Sequence, residues 1–208
     1  MIIKFNDYIN ENNEILNKIF SICKHAYNTS LLDIDYIKNN INNIDIKIIN
    51  DIHYELLLNS VSHFNFDLVK ILVENGADIN KKFHLNFTAL AELVYARHMN
   101  NHEHNIMKIF YYLIENGANI NDTCGNSESN ILMLAIDNFE RSNNMRDQKI
   151  LYNIITILIE LDADLLRKNN IGECAYDKIT NNMIEHIKKN DKAYRNYNKQ
   201  ITSSKFNI

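Results

Sequence analysis

The chain has 208 residues, enough for one or two domains, and 46% of them are apolar, which suffices for a continuous core. A formal net charge of −4 gives no electrostatic case for a nucleic-acid partner. The three cysteines, Cys23, Cys124 and Cys174, are isolated and odd in number, which argues against a disulfide framework or a zinc site and for a reducing compartment.

Met1 to Asp7 is too polar for a signal peptide, and no run of about 18 apolar residues follows, so an intracellular, membrane-free protein is expected. Ile15 to Tyr27 reads as a first helix, and Ile34, Ile37 and Ile41 mark the buried face of a second that ends near Asn42-Asn43-Ile44-Asp45. Tyr54 to Val61 is a shorter helix, joined through Phe64-Asn65-Phe66 to one whose apolar residues are Leu68, Val69, Ile71, Leu72 and Val73. Asp67, Lys70 and Glu74 stand between them. Gly76 closes that helix as a left-handed cap, Ala77 is small enough to tuck beneath the next helix, and Asp78 bonds its own turn.

The terminus recurs. Leu72-Val73-Glu74-Asn75-Gly76-Ala77-Asp78-Ile79-Asn80 returns as Leu113-Ile114-Glu115-Asn116-Gly117-Ala118-Asn119-Ile120-Asn121, and a weaker copy runs from Leu158 to Leu166 with Asp162 in the cap position. Between the copies, helices open at Thr88-Ala89-Leu90, Asn130-Ile131-Leu132 and Cys174-Ala175-Tyr176, with Leu90, Leu132 and Tyr176 as apolar anchors. Two polar stretches, Met99 to Asn105 and Arg141 to Gln148, lengthen the later copies and read as extended helix ends with enlarged loops. Cys124, Gly125 and Gly172 fall in outward loops. Met183, Ile184 and Ile187 close the core on a last short helix, and the polar sequence beyond Asn190 reads as a frayed tail.

A chain that repeats one helix terminus is built from stacked units. The stretches DLVKILVENGADIN (Asp67 to Asn80) and IFYYLIENGANIN (Ile109 to Asn121) resemble the ankyrin repeat, and Glu55 and Thr88 stand about 33 residues apart, that repeat's period. The T-P-L-H-x-A turn of the family is weaker here, since no copy keeps its proline or histidine. The resemblance implies an all-α solenoid of about five helix-turn-helix units with degenerate ends, approximately 15–48, 49–82, 83–124, 125–168 and 169–189, in one domain over 1–190 with a polar tail at 191–208.

The resemblance also implies a function. Ankyrin stacks bind proteins without catalysis, through a concave surface of outward loops and first helices. Here those positions are Phe83, His84, Leu85, Phe87 and Tyr95, then Asn126, Ser127, Ser129, Asp137 and Asn138, then Asn170, Ile171 and Glu173. Leu72, Asp78 and Asn80 match the spacing that asparaginyl hydroxylases recognise in this family, making Asn80 a candidate for that modification. The style is similar to short ankyrin proteins of large DNA viruses, mimivirus-like or poxvirus-like, which implies a host-protein partner in the host cytoplasm. No cofactor, metal, nucleic acid or membrane is expected.

Two other clusters bear on chemistry. His98, His102 and Glu103 would share a face on a continuous helix and form the centre of a rival reading, a metal-dependent enzyme; a self-assembling structural protein is another. Lys188, Lys189, Lys192, Arg195, Lys199 and Lys205, with Tyr194 and Tyr197 among them, resemble a basic-aromatic contact strip, but Glu185 and Asp191 dilute it, and a solvated helix end is the expectation. No Ser-His-Asp order or phosphate-binding glycine loop is present.

Overall fold

The computed structural model describes residues 14–15, 17–19, 21, 31–41, 54–96, 99 and 102–205. Among these the chain is mostly helical, with one two-stranded hairpin. The elements are α1 (Leu31–Asn40), α2 (Tyr54–Ser62), α3 (Phe66–Glu74), a 3₁₀ turn (His84–Asn86), α4 (Ala89–Tyr95), α5 (Glu103–Glu115), β1 (Thr123–Cys124), β2 (Ser129–Asn130), α6 (Ile131–Arg141), α7 (Met145–Glu160), α8 (Ala175–Lys178), α9 (Asn181–Ile187) and α10 (Asp191–Lys205). Residues 14–15, 17–19 and 21 are also helical, and Ile19 joins the core. The rest of the helix expected over Ile15 to Tyr27, and the turn at Asn42 to Asp45, lie outside the described residues.

The helices pack in two layers. α2, α4, α6 and α8 follow one another as neighbours in the first layer. In the second, α1 contacts α3 and α3 contacts α5, while α7 contacts α9 and α10. Pairs α2/α3, α4/α5 and α6/α7 bridge the layers. The sequence periodicity explains the seam. Leu68, Val69, Ile71 and Leu72 of α3 are buried, as are Ile106, Ile109, Phe110 and Leu113 of α5 and Ile150, Leu151, Ile154, Ile155, Leu158 and Ile159 of α7. At about 1.5–3 kcal/mol for each large apolar side chain removed from water, this seam dominates the local preferences of the individual helices.

Helix starts are set by short polar side chains. Thr88 Oγ1 accepts from Ala91 N, Asn130 Oδ1 from Met133 N, and Asn65, Asn144 and Thr180 cap α3, α7 and α9 in the same way. At the first turn of α8, Cys174 and Asp177 form a reciprocal capping pair. Each such cap contributes on the order of 1 kcal/mol.

The three expected termini share one geometry. Ala77, Ala118 and Ala163 donate from their backbone to Leu72, Leu113 and Leu158, and the residue before each alanine has positive φ: Gly76 at 87°, Gly117 at 89°, Asp162 at 65°. This is the Schellman closure of a helix. Phe64 uses the same region, at φ 55°, to turn α2 into α3. Its ring is buried, and burying a phenylalanine outweighs the roughly 1–2 kcal/mol that a left-handed L-residue costs.

Several expectations are corrected. The extra length at Arg141 to Gln148 is taken up by helix: α6 runs to Arg141, α7 begins at Met145, and only Ser142 to Asn144 connect them. Cys124 is not in an open loop but in β1, buried, with its thiol facing Ser129 O at 3.7 Å. Tyr176 is 39% exposed whereas Leu90 and Leu132 are buried; its ring lies 6.3 Å from that of Tyr197 in α10. The segment beyond Asn190 is not a frayed tail. It is helical to Lys205, with Ala193 and Tyr197 buried against the stack.

Candidate partner-binding face

Three loops project ahead of α4, α6 and α8, and each is shaped by left-handed residues at its tip. In the first, Phe83 N donates to Phe87 O at 3.0 Å around the 3₁₀ turn, and Leu85 and Asn86 have φ of 60° and 59°. In the second, β1 and β2 pair Thr123 with Asn130 and Cys124 with Ser129, with Gly125 and Glu128 at positive φ in the turn. In the third, Asn169 Oδ1 accepts from Ile171 N and Glu173 N, and Gly172 has φ 85°.

The loops are tied into one row. Gly125 N donates to Leu85 O, and Asn170 N donates to Ser127 O at 2.9 Å. Asn169 Nδ2 reaches Ser129 Oγ at 3.3 Å, and Lys82 pairs with Asp122 at 3.0 Å. The residues that open each first helix thus sit beside a rigid strip rather than beside separate loops.

The side chains expected to face a partner divide into two groups. Leu85 is 56% exposed, Ile171 69% and Tyr95 37%. His84, Asn126 and Asn170 are also exposed, with His84 against the Phe83 ring at 4.2 Å. The remainder serve the fold. Ser129 is buried and its hydroxyl lies 3.0 Å from that of the half-buried Ser127, so it cannot meet a partner. Asn138 Nδ2 donates to Val94 O at 2.8 Å and ties α6 to α4. Asp137 and Glu173 both pair with Lys178 Nζ, at 3.0 and 2.9 Å. Phe83 and Phe87 are half-buried against the core, and the Phe87 ring meets the Tyr95 ring edge-on at 5.2 Å.

Lys178 escaped the reading of the sequence. Its amine is partly buried, which lowers its affinity for a proton, but the hydrogen bonds and charges of Glu173 and Asp137 outweigh this and hold its pKa above the ordinary lysine value. Glu173 is close in the chain, but Asp137 stands one helix-pair away, and only the fold brings it to Lys178.

Among the described residues the other clusters do not converge. His98 lies outside the described residues. His102 stands at the residue before α5 with its ring 5.2 Å from that of Phe64, while Glu103 turns to Lys149 at 3.4 Å, so the two engage different neighbours. Among the described residues no three metal-ligating side chains come together. Burial raises the thiol pKa of Cys124 to about 12, with Asp122 adding to the effect, and burial also raises that of Cys174, which leaves both poor nucleophiles near neutrality. Cys23 is not among the described residues. The aromatic members of the C-terminal basic strip are turned inward: Tyr197 is buried, and Tyr194 is partly so. Among the described residues no helix is long and apolar enough to cross a membrane.

Asn80 has a structural part. Its Nδ2 donates to Gly117 O at 2.8 Å and its Oδ1 accepts from Asn119 N at 2.9 Å, so both polar ends of the candidate modification site bridge to the next turn.

No family model and no curated protein matches the chain. Among solved structures it is similar to one chain of a complex between the Bd0816 predatory endopeptidase from Bdellovibrio bacteriovorus and immunity protein Bd3460, with 20% identity, a TM-score of 0.45, and coverage of 86% of this chain and 97% of that one.

Proposed function

We propose that this chain is an ankyrin-repeat solenoid of about five units, spanning roughly 15–189, that binds another protein without catalysis. The face used is the strip of linked loops with the exposed edge of the first helices. The observation that supports it most is the placing of large apolar side chains at the loop tips. Leu85 and Ile171 are more than half exposed, and Leu85 holds a left-handed backbone that glycine or asparagine would occupy more easily. Strain retained at an exposed apolar residue is best explained by use. Tyr95, backed by Phe87, supplies the aromatic anchor. A protein of the cytoplasm in which the chain resides, such as a host protein if the chain is viral, is the partner class.

Affinity capture from lysate followed by quantitative mass spectrometry tests the assignment. A partner enriched by the wild type should be lost in part with Leu85→Asn, Ile171→Ser and Tyr95→Ala, each by about 5- to 30-fold, the equivalent of 1–2 kcal/mol at a hot spot. Leu85→Asn should at the same time be more stable to urea than wild type, because asparagine tolerates the left-handed region. Capture that survives all three variants but is abolished by His102→Ala would place the active surface at the other end of these helices.

A further inference from the structure

α2 and α4 are neighbours in the first layer, and a cleft of about 310 Å³ opens where they meet the loop ahead of α4. Its lining is Leu58, Asn59 and Ser62 of α2, Phe83 of the loop, and Glu92 of α4. The sequence accounts for this placing. Ala89, Leu90, Ala91, Leu93 and Val94 of α4 are buried in the core, and Glu92 is the charged residue set within that run. Asn59 stands 33 positions before Glu92, the spacing that also separates Glu55 from Thr88, so the two take the same place on neighbouring helices.

Glu92 is the unusual member. Its side chain is half-buried and makes no hydrogen bond or ion pair with any described residue. Among the described residues the one sealed and unpartnered side-chain oxygen is Asp147 Oδ1, so the Glu92 carboxylate is reached from solvent. Desolvation raises its pKa, and no charge among the described residues acts on it. His63, Lys81, Lys82 and His84 flank the lining residues in the chain, yet none of them neutralises it. Lys82 pairs instead with Asp122 at 3.0 Å. A carboxylate drawn partly out of water without a counter-charge is costly, and a cation that enters the cleft removes that cost.

The other walls suit an ammonium on an aliphatic stem. Leu58 is buried and Phe83 half-buried, which gives the stem apolar surface. The Asn59 side-chain amide has no partner among the described residues, so its oxygen is open to a donor. Ser62 Oγ donates to Asn59 O at 3.1 Å and lies 3.3 Å from His63 Nδ1. His63 Nδ1 stands 2.7 Å from Asn59 O and so carries the ring proton, which leaves the Ser62 hydroxyl a lone pair for a further donor. An ammonium brings three donors and a single charge; the lining supplies a carboxylate, an amide oxygen and a hydroxyl oxygen.

We propose that this cleft receives a lysine side chain of the bound protein partner, with its ammonium paired to Glu92. The inference deepens the binding-face reading and rests on it for the source of the lysine, because Phe83 belongs to the loop that carries Leu85.

The test uses the full chain and small probes. n-Butylammonium, n-butylguanidinium, n-butanol and butyrate are titrated separately and followed by backbone amide NMR. Saturable shifts centred on Leu58, Asn59, Ser62, Phe83 and Glu92 are expected with n-butylammonium. The guanidinium should bind more weakly, and n-butanol, which keeps the stem and lacks the charge, about tenfold more weakly or worse. The Glu92 carboxyl, followed by side-chain NMR, should titrate at lower pH when the ammonium is present, because a neighbouring cation favours the ionised form. Glu92→Gln, which keeps the shape and removes the charge, should abolish saturation. Glu74→Gln, at an exposed glutamate that pairs with Lys70 on α3, should leave it intact. Equal binding of n-butylammonium and n-butanol, tighter binding of the guanidinium, butyrate binding at the same residues, or ammonium binding undiminished by Glu92→Gln would each overturn the proposal. Were no probe to bind while the Leu85 and Ile171 variants still lose capture, the cleft would fall and the loop face would stand. Were the ammonium to bind while those variants keep capture, the loop face would fall, and with it the partner as the source of the lysine.

Discussion

The side-chain amide of Asn80 donates to Gly117 O across 37 positions of the chain, while its carbonyl accepts from Asn119 N. The same clamp recurs one helix-pair later, where Asn121 Oδ1 accepts from Asp164 N at 2.8 Å. Each of these turns is also closed on itself, by Asn80 N to Asp78, Asn121 N to Asn119 and Leu166 N to Asp164. Side chains that satisfy one turn and grip the next set the spacing between helix pairs.

Asn80→Ala should therefore destabilise the chain by about 1–2 kcal/mol, at the upper end of what one or two partly exposed hydrogen bonds contribute. Asn121→Ala removes a single bond of this kind and should cost less. Asn80→Asp should be at least as harmful as alanine, because it turns a carboxylate oxygen toward Gly117 O. Urea denaturation ranks the three, and a neutral Asn80→Ala would remove the clamp from the account.

The helix caps make a second prediction. A Cβ on Gly117 would meet nothing within 4 Å, so the only penalty there is the backbone at φ 89°. Gly117→Ala should cost about 1 kcal/mol and Gly117→Val more. Asp162→Val should cost less than Gly117→Val. The third turn has not abandoned the left-handed geometry, for Asp162 keeps φ 65°, but a residue with a Cβ already bears part of the penalty. Equal losses from both valine variants in thermal melts would show that the Asp162 side chain, which accepts from Gln200, contributes more than the backbone does.

The C-terminal helix is part of the folded unit. Asn196 Nδ2 donates to Ile159 O and Glu160 O, Gln200 Oε1 accepts from Leu165 N, and Tyr197 is buried. These groups close the carbonyl end of α7, which would otherwise be left open at the edge of the stack. Ending the chain after Asn190 should destabilise it by about 2–4 kcal/mol, from one buried aromatic and several hydrogen bonds. Truncation without loss of stability in chemical denaturation would restore the view of this segment as a dispensable tail.

Glu92 gives a pH dependence. Burial in α4 raises its carboxyl pKa above the ordinary glutamate value, because desolvation disfavours the charged form. A raised carboxyl pKa in the folded state means that the unfolded chain ionises first. The stability associated with the neutral group is complete below the unfolded value and is lost as pH rises through the folded one. Glu92→Gln should consequently be more stable than wild type at pH 7, and its advantage should vanish in acid. Urea midpoints measured for both proteins from pH 4 to pH 8 check the sign, and an advantage that grows toward acid would reverse it.

Leu68 to Val73, Gly76 and their later counterparts determine helix, face and stop by themselves, because the information lies within one or two turns of chain. Apolar spacing selects the buried side, and the left-handed cap ends the helix through bonds spanning five residues. The loop positions were legible for the same reason, as Leu85, Tyr95 and Ile171 show. What each polar side chain does there was not legible. Ser129, Asn138 and Asp137 lie at surface-facing register positions, yet one is buried and two are bound to Val94 and Lys178 in neighbouring units. Those partners stand about 40 residues away, and only the stacking of helix pairs brings them within hydrogen-bond reach. The stack likewise places the polar α10 against α7. Local sequence sets the shape of each unit; contact between units decides which of its polar groups stay exposed.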